Sequence, residues 1–501
     1  MTRGVSRPHR AHGERSPQAE GVRRVLANAL ALLLAYALPR LFTVGAVVLA
    51  ARVLGTADFG AYGTAAAFAV IMSIIATLGM TPLLVREMAR ARERAPSLMR
   101  AAHIVKTASN AAMLLALLGT GYAVLRYPPS VLAAAALLGI AGAIGAYVDN
   151  FAAYVQSIEK MHFWMQASAV YGLVTGTLGA LLVVTTRDMV WFSAAPIAGQ
   201  AAALAWLVTR LPAPVRLGAA ASRGDVLRLL GTLAPFTAAF VALTLHSKAD
   251  VLLLAHLRSA SDVGLYTAGY KFIDLTQALA VVAAAAAYPR LCRIAPAGTG
   301  AGRWAGTRLI ELALLAAVPA GGALLLGRST VVGLLFGDAY AASIPVVSVL
   351  AMAIPMLVIN IVGGYILGAA GQMHRVAALY AFSVAVKLGL NVWLIPAHGP
   401  SGAALAMLAT EYALGIAMLV VLHRHVAAAP AARAWIAVSA SAGIAAAMTR
   451  LPPPSVDALT ATFFLVGVAM VYALAGVVPA VERATLIEAL RARRDGAEAA
   501  G

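Results

Sequence analysis

The sequence predicts an all-α integral membrane protein of about fourteen transmembrane helices, arranged as two parallel-repeat six-helix lobes with two further helices at the C-terminal end. Three observations predict it. Hydrophobic residues make up 61% of the 501 residues and charged residues 12%, whereas a soluble domain carries roughly 45–50% apolar and about 25% charged residues. The apolar residues fall in blocks of about 20 or more, long enough at about 1.5 Å per residue to cross a hydrocarbon core roughly 30 Å thick. The chain also repeats itself.

Taken in order, the predicted spans run over 25–50, 59–85, 104–125, 130–156, 163–186, 189–209, 229–257, 263–288, 309–327, 342–369, 376–396, 402–422, 432–449 and 458–480. Each must be helical, because lipid offers no partner for backbone amides and no alternating short strands suggest a barrel. The stretch from Val25 to Leu54 is broken only at Pro39-Arg40 and is too long for a cleaved signal peptide, so it reads as the first span. Cys292 is the single cysteine, which excludes an intrachain disulfide.

The net charge of +18 would suit nucleic acid if it formed a surface patch, but its distribution argues against that partner. With loops assigned alternately to the two sides, 28 of the 38 Lys and Arg fall on one side, 6 on the other and 4 within spans. This is the positive-inside bias, and it places both termini in the cytoplasm. The six on the sparse side are Arg52, Arg126, Arg187, Arg258, Arg328 and Arg450.

The repeat is clearest after the first and seventh spans, where RVLGTADFGAYG (52–63) resembles RSASDVGLYTAG (258–269). Asp58, Gly60 and Tyr62 recur as Asp262, Gly264 and Tyr266 at an offset of 204. Lys160-Met161-His162 has its counterpart in Gln372-Met373-His374. Six spans per repeat is an even number, so the halves enter the bilayer from the same side. Parallel-repeat transporters are built this way, with the substrate path between halves that rock against each other. Each repeated Asp can cap the following helix, each Gly permits close packing and each Tyr is expected at headgroup level. The Gly172/Gly176 pair reads as ordinary helix packing.

The domain division expected from this is 1–24 as a basic cytoplasmic N-terminus, 25–210 as the first lobe and 211–228 as a cytoplasmic linker. The second lobe follows at 229–423, the two added helices at 431–481 and a cytoplasmic tail at 482–501.

Ionisable residues inside spans are the functional candidates, because each costs a few kcal/mol in hydrocarbon unless it faces a wet or paired interior. Arg40 lies near the middle of the first span beside Pro39, Lys248 and Asp250 in the seventh, Lys271 and Asp274 in the eighth. Lys387 is central in the eleventh, Glu411 in the twelfth, and Asp149 lies toward the inner end of the fourth. Lys271 and Asp274 share a face and can pair, whereas Lys248 and Asp250 point differently. Bridges among the seventh, eighth, eleventh and twelfth spans are the structural reading for Lys248, Lys387 and Glu411. Arg40 has no acidic residue on its own helix and reads as a cavity residue attracting an anion. His246 shares a face with Asp250 and could relay protons, helix packing being the plainer reading. No HExxH, paired CxxC, GxxxxGK[ST] or GxSxG occurs, so no metal, nucleotide or acyl-enzyme chemistry is indicated, no cofactor is expected and the chain does not read as an enzyme.

RVLGTADFGAYG and ATLGMTPLLVREMA (76–89) resemble the opening of polysaccharide-export flippases of the Wzx type. KADVLLLAHLRSASDVGLYTAGYKF (248–272), Pro289-Arg290, LLFGDAYAASIPVVSVLA (334–351), ILGAAGQ (366–372) and NVWLIPAHGPSGAALA (391–406) resemble that family too. The resemblance covers roughly 25–425. It implies a member of the multidrug/oligosaccharidyl-lipid/polysaccharide exporter superfamily, with two lobes around a central cavity in a bacterial inner membrane. The implied partners are membrane lipids and an undecaprenyl-pyrophosphate-linked oligosaccharide moved to the periplasmic leaflet, with a polysaccharide polymerase as a candidate protein partner. Arg40, Lys248, Lys271 and Lys387 are the implied substrate-binding cations, and Asp250, Asp274, Glu411 and Asp149 the candidate ion-coupling acids. A cation-coupled multidrug exporter and a peptidoglycan-precursor flippase of the same superfamily are the alternatives, and a non-transporting scaffold for glycan assembly is the reading from another class.

Overall fold

The computed structural model describes the backbone of residues 17–212, 215, 221–294 and 300–425, with side chains from Phe42 onward apart from a few near 235 and 286–303. The expected added helices at 432–449 and 458–480, and both ends of the chain, lie outside the described residues.

Twelve α-helices make up most of the described chain: α1 (Pro17–Thr77), α2 (Met80–Arg90), α3 (Ala95–Gly119), α4 (Pro129–Ser157), α5 (Met161–Thr186), α6 (Met189–Arg210), α7 (Arg223–Leu257), α8 (Ala260–Ile294), α9 (Gly300–Leu326), α10 (Arg328–Phe336), α11 (Ile344–Ala369) and α12 (Met373–His425). Nine helical stretches among the described residues are long and apolar enough to cross a membrane. One of them, α12, has 53 residues and would extend ~80 Å if straight, far more than a bilayer core. It holds two spans, separated at Gly399, whose φ of 57° breaks the helix. A Cβ at Gly402 would lie 2.1 Å from the Leu394 carbonyl oxygen, so the two arms come back against each other there. In α1 the separation falls at Gly55, with φ 74°. Both φ values lie in the left-handed region that glycine enters without steric cost.

Sequence chemistry starts the other helices. Pro129 opens α4 at a position whose amide needs no helical partner. Asp188 caps α6 by accepting from Val190 N at 2.7 Å. Ser222 and Asp225 form a reciprocal capping box at the start of α7. The hydrogen bonds from Ser222 hold the Asp225 carboxyl below the usual carboxylate range.

Helices α1 to α6 form one bundle, in which α5 packs on α1 and α6, and α4 packs on α6. Helices α7 to α12 form the second, with α11 packed against α8, α9 and α12, and α7 against α12. Exposed Tyr122, Trp191 and Trp393 ring the face where Gly55 and Gly399 lie, and exposed Trp304 marks the opposite one. Such aromatic girdles sit at headgroup depth. The Gly55 face is termed the outer face below, as the charge distribution predicts.

The second span is discontinuous. Helix α1 ends at Thr77, Leu78 and Gly79 take φ of 51° and 63°, and α2 begins at Met80. A break at membrane depth frees carbonyls that must be bonded within the protein. Lys106 Nζ donates to Ala76 O at 3.1 Å and Thr77 O at 3.3 Å, Ser109 Oγ to Ala76 O at 3.2 Å, and Thr237 Oγ1 of the second bundle to Leu78 O at 2.7 Å. In the sequence Lys106 stands at the inner edge of the predicted span 104–125 and counts with the cations of the inner side. In the fold it is fully buried, where its ammonium complements the carbonyl end of a helix.

Candidate functional site

Two polar networks lie on the second bundle, and they differ in burial. The inner one is assembled from side chains spaced four apart on facing helices. Helix α7 presents His246 and Asp250, and the first arm of α12 presents Ser383 and Lys387. Lys387 Nζ donates to Asp250 Oδ2 at 3.1 Å and to the His246 carbonyl, while Tyr266 Oη of α8 donates to the same Asp250 oxygen at 2.6 Å. The backbone amide of Val251 donates to Asp250 Oδ1 at 2.9 Å. Four residues earlier on α7, His246 Nε2 lies 3.0 Å from Glu411 Oε1, and Asn360 Nδ2 of α11 donates to Glu411 Oε2 at 2.7 Å. None of Asp250, Lys387, Glu411 and His246 exceeds 4% exposure. The cluster ties α7, α8, α11 and both arms of α12 into one unit and holds two acid–base pairs, Lys387–Asp250 and His246–Glu411.

The outer network is half-buried. Asp274 on α8 receives Lys271 Nζ at 2.9 Å, one helical turn away, and Lys248 Nζ of α7 at 3.3 Å. Lys248 also sits 4.7 Å above the Tyr270 ring. Two cations share one carboxylate, so the group carries a formal excess of one positive charge. Phe272, next to Lys271 on α8, packs in one cluster with Ala51, Phe59 and Tyr62 of the first bundle, which puts this trio on the seam between the bundles.

The expected site residues therefore separate. Lys248, Lys271 and Asp274 come together at the seam. Lys387, Asp250 and Glu411 come together inside the second bundle, where Lys387 is 1% exposed and its charge is taken up by Asp250. Lys387 has no surface from which to meet a substrate, because its polar stripe on α12 faces α7. Asp149 lies on α4 with an exposed side chain, within electrostatic reach of Lys106. The Arg40 backbone runs within α1, and its side chain lies outside the described residues. Tyr266, expected at headgroup level, is instead fully buried, because its hydroxyl is bonded to Asp250.

At the outer face the repeat packs against itself. A Cβ at Gly60 would lie 1.7 Å from Ala260 O, and one at Gly264 would lie 2.0 Å from Thr56 O. Residues 56 and 60 are related to 260 and 264 by the offset of 204, so each half inserts its glycine under the other half's carbonyl. Thr56 Oγ1 and Ser261 Oγ are 2.6 Å apart. Alongside, Arg52 donates to the Gly333, Leu334 and Leu335 carbonyls at the end of α10, and Tyr340 Oη donates to Ala51 O at 3.0 Å. Only glycine admits backbone contact this close. The outer seam is sealed.

On the opposite side of the bilayer, a cleft of about 700 Å³ opens beside the α1–α2 break, lined by Leu78, Leu230, Leu233, Thr237, Leu245 and Val384 among others. Among the described residues, no group of three or more His, Cys, Asp or Glu could hold a metal ion.

A sequence profile described as "Polysaccharide biosynthesis protein" matches residues 25–295. The chain belongs to that family. No curated protein matches it by sequence. Among solved structures, Lipid II flippase MurJ in an inward closed conformation is similar with a TM-score of 0.67 at 11% identity, over 90% of this chain and 98% of that one. An inward-facing multidrug resistance MATE family transporter of the MOP superfamily gives 0.63 at 13% identity, covering 82% and 98%. A MOP superfamily transporter from Pyrococcus furiosus gives 0.61 at 12%, covering 81% and 96%. At these identities the likeness is one of fold. This member of the polysaccharide biosynthesis family is thus a multi-pass membrane protein with the fold of MOP superfamily transporters, and the matched proteins are flippases and transporters.

Proposed function

We propose that this chain flips an undecaprenyl-pyrophosphate-linked oligosaccharide from the cytoplasmic to the outer leaflet of a bacterial inner membrane, for surface polysaccharide synthesis, by alternating access. The single observation that carries the reading is the Lys248–Asp274–Lys271 trio on the seam. A half-buried site with one uncompensated positive charge favours an anion such as pyrophosphate, and a substrate phosphate can replace Asp274 as partner to either lysine. An inside-negative potential also drives an anion outward, worth roughly 2.3 kcal/mol per charge per 100 mV if it crosses the whole field. Arg40 joins these lysines in the proposed substrate path. The apolar cleft at Leu78 and Leu233 suits the isoprenoid chain. In this reading 25–210 and 229–423 are the rocking lobes, 211–228 the cytoplasmic link and 431–481 an addition outside the path, both termini are cytoplasmic, and a polysaccharide polymerase takes up the product.

A cation-coupled drug exporter would call for a seam with excess negative charge, the reverse of the trio. The likeness to Lipid II flippase MurJ supports a second reading, a lipid-linked peptidoglycan precursor, which presents similar chemistry to the same lysines.

Lys248→Ala combined with Lys271→Ala is expected to lower surface polysaccharide about tenfold or more at normal protein level in the membrane, since a hydrogen bond to a charged group is worth ~1.5–3 kcal/mol. Quantifying the polysaccharide in a strain relying on the variant checks this. Unchanged polysaccharide would remove the trio from the substrate path.

A further inference from the structure

The two buried pairs of the His246–Asp250 cluster differ in whether a proton can leave them. Ser383 Oγ lies 2.7 Å from Tyr380 O and 2.9 Å from His246 Nδ1. A carbonyl only accepts, so the single hydroxyl hydrogen of Ser383 goes to Tyr380 O, and Nδ1 must be the N–H that donates to Ser383 Oγ. A neutral ring protonated at Nδ1 has a bare lone pair on Nε2. Yet Nε2 stands 3.0 Å from Glu411 Oε1, a separation at which a lone pair and a carboxylate would repel. One further proton must therefore lie between them, as imidazolium with carboxylate or as imidazole with carboxylic acid. In both forms the pair is neutral and holds one removable proton.

Asp250 has no such freedom. Its carboxylate receives Lys387, Tyr266 and the Val251 amide, all donors that are protonated in the ordinary state. Lys387 is a tethered cation where a mobile one would otherwise bind. The other groups facing the His246–Glu411 pair are Asn360 from α11, Tyr380 and Lys387 from α12, and Tyr270 from α8. Every buried carboxylate of this cluster already faces a protein base, which leaves a metal cation no uncompensated acid to bind there.

We propose that the His246–Glu411 pair carries the proton that couples transport to an ion gradient, with Asp250 and Lys387 as its fixed scaffold. This rests on the alternating-access reading above. Release breaks the N–H bond at Nε2, or the O–H bond at Glu411, and sends one proton to water. The pair passes from neutral to a charge of −1, with a lone pair set against Oε1. Helix α7 and the second arm of α12 are then pushed apart. Lys248 is two residues from His246 on α7, so the same displacement moves a cation of the seam.

Spin labels on Thr185→Cys at the outer end of α5 and Ala397→Cys at the outer end of the first α12 arm, with Cys292→Ser, report the outer separation of the bundles. Both positions are exposed. In the full chain reconstituted in lipid nanodiscs, the distance distribution is expected to differ between an acidic and an alkaline buffer. Exchanging potassium for sodium at fixed pH should not move it. Glu411→Gln, whose amide donates to Nε2 at every pH, should hold the low-pH distribution throughout, and His246→Gln should likewise remove the pH response. A parent insensitive to pH, a sodium-driven shift, or a full pH response in either variant would each overturn the proposal. The readout uses no glycan: a pH-insensitive protein that still flips defeats only the proton pair, and an intact pH response without flipping defeats only the substrate reading.

Discussion

Oxidation of a Thr56→Cys, Ser261→Cys pair, in a chain whose Cys292 is replaced by Ser, is expected to abolish transport, and reduction to restore it. The two native hydroxyl oxygens are 2.6 Å apart, so thiols at these positions fall within disulfide reach. They flank the crossing where Gly60 and Gly264 each lie under the other half's carbonyl. Because no Cβ fits there, the crossing has one tight geometry and must part as a whole for the outer side to open. A covalent link across it holds the bundles in the outer-closed arrangement whatever happens at the inner face. Transport assayed with and without reductant on the same preparation checks this. Full transport in a quantitatively cross-linked sample would mean that the outer seam does not open during the cycle.

Asp250→Ala is expected to cost about 3–5 kcal/mol, because removing one member of a buried pair leaves the other charge uncompensated. Lys387 is 1% exposed and cannot reach water without unpacking α12 from α7, so the penalty falls on folding. Thermal unfolding in detergent should show a large drop in midpoint. Adding Lys387→Met should recover much of it, since an apolar residue of similar length fills the same space without a charge. Equal destabilisation in the single and double variants would show that the ion pair is not the source of the loss.

Depth in the membrane is legible in this sequence and azimuth is largely not. Each of the first twelve predicted spans falls on helical backbone, the second divided between α1 and α2, because an apolar stretch of about 20 residues in lipid has few alternatives to a helix. The same profile says that Lys387 is central in its span but not which way it points. The missing signal was its spacing: Ser383, Lys387 and Asn391 recur every four residues on α12, opposite His246 and Asp250 on α7, and two matching polar stripes mark helices that face each other. The duplicated Asp-x-Gly-x-Tyr motif was legible as a repeat. That its two glycines meet follows only once both halves are folded, because contact across a symmetry axis leaves no trace in local spacing. Lys106 is indistinguishable by composition from the basic residues that precede it. Leu78-Gly79 was the available clue, since a helix broken within the bilayer needs a donor for its freed carbonyls.

The central claim, a lipid-linked glycan carried by charge at the seam, is tested most directly by leaflet transfer in proteoliposomes of the purified full chain. An undecaprenyl-pyrophosphate oligosaccharide, the same oligosaccharide without its lipid, and a lipophilic cationic dye are followed in parallel under an imposed potential. The account predicts transfer of the lipid-linked form alone, lost in the Lys248→Ala, Lys271→Ala variant. Transport of the dye with no movement of the lipid-linked form would contradict it.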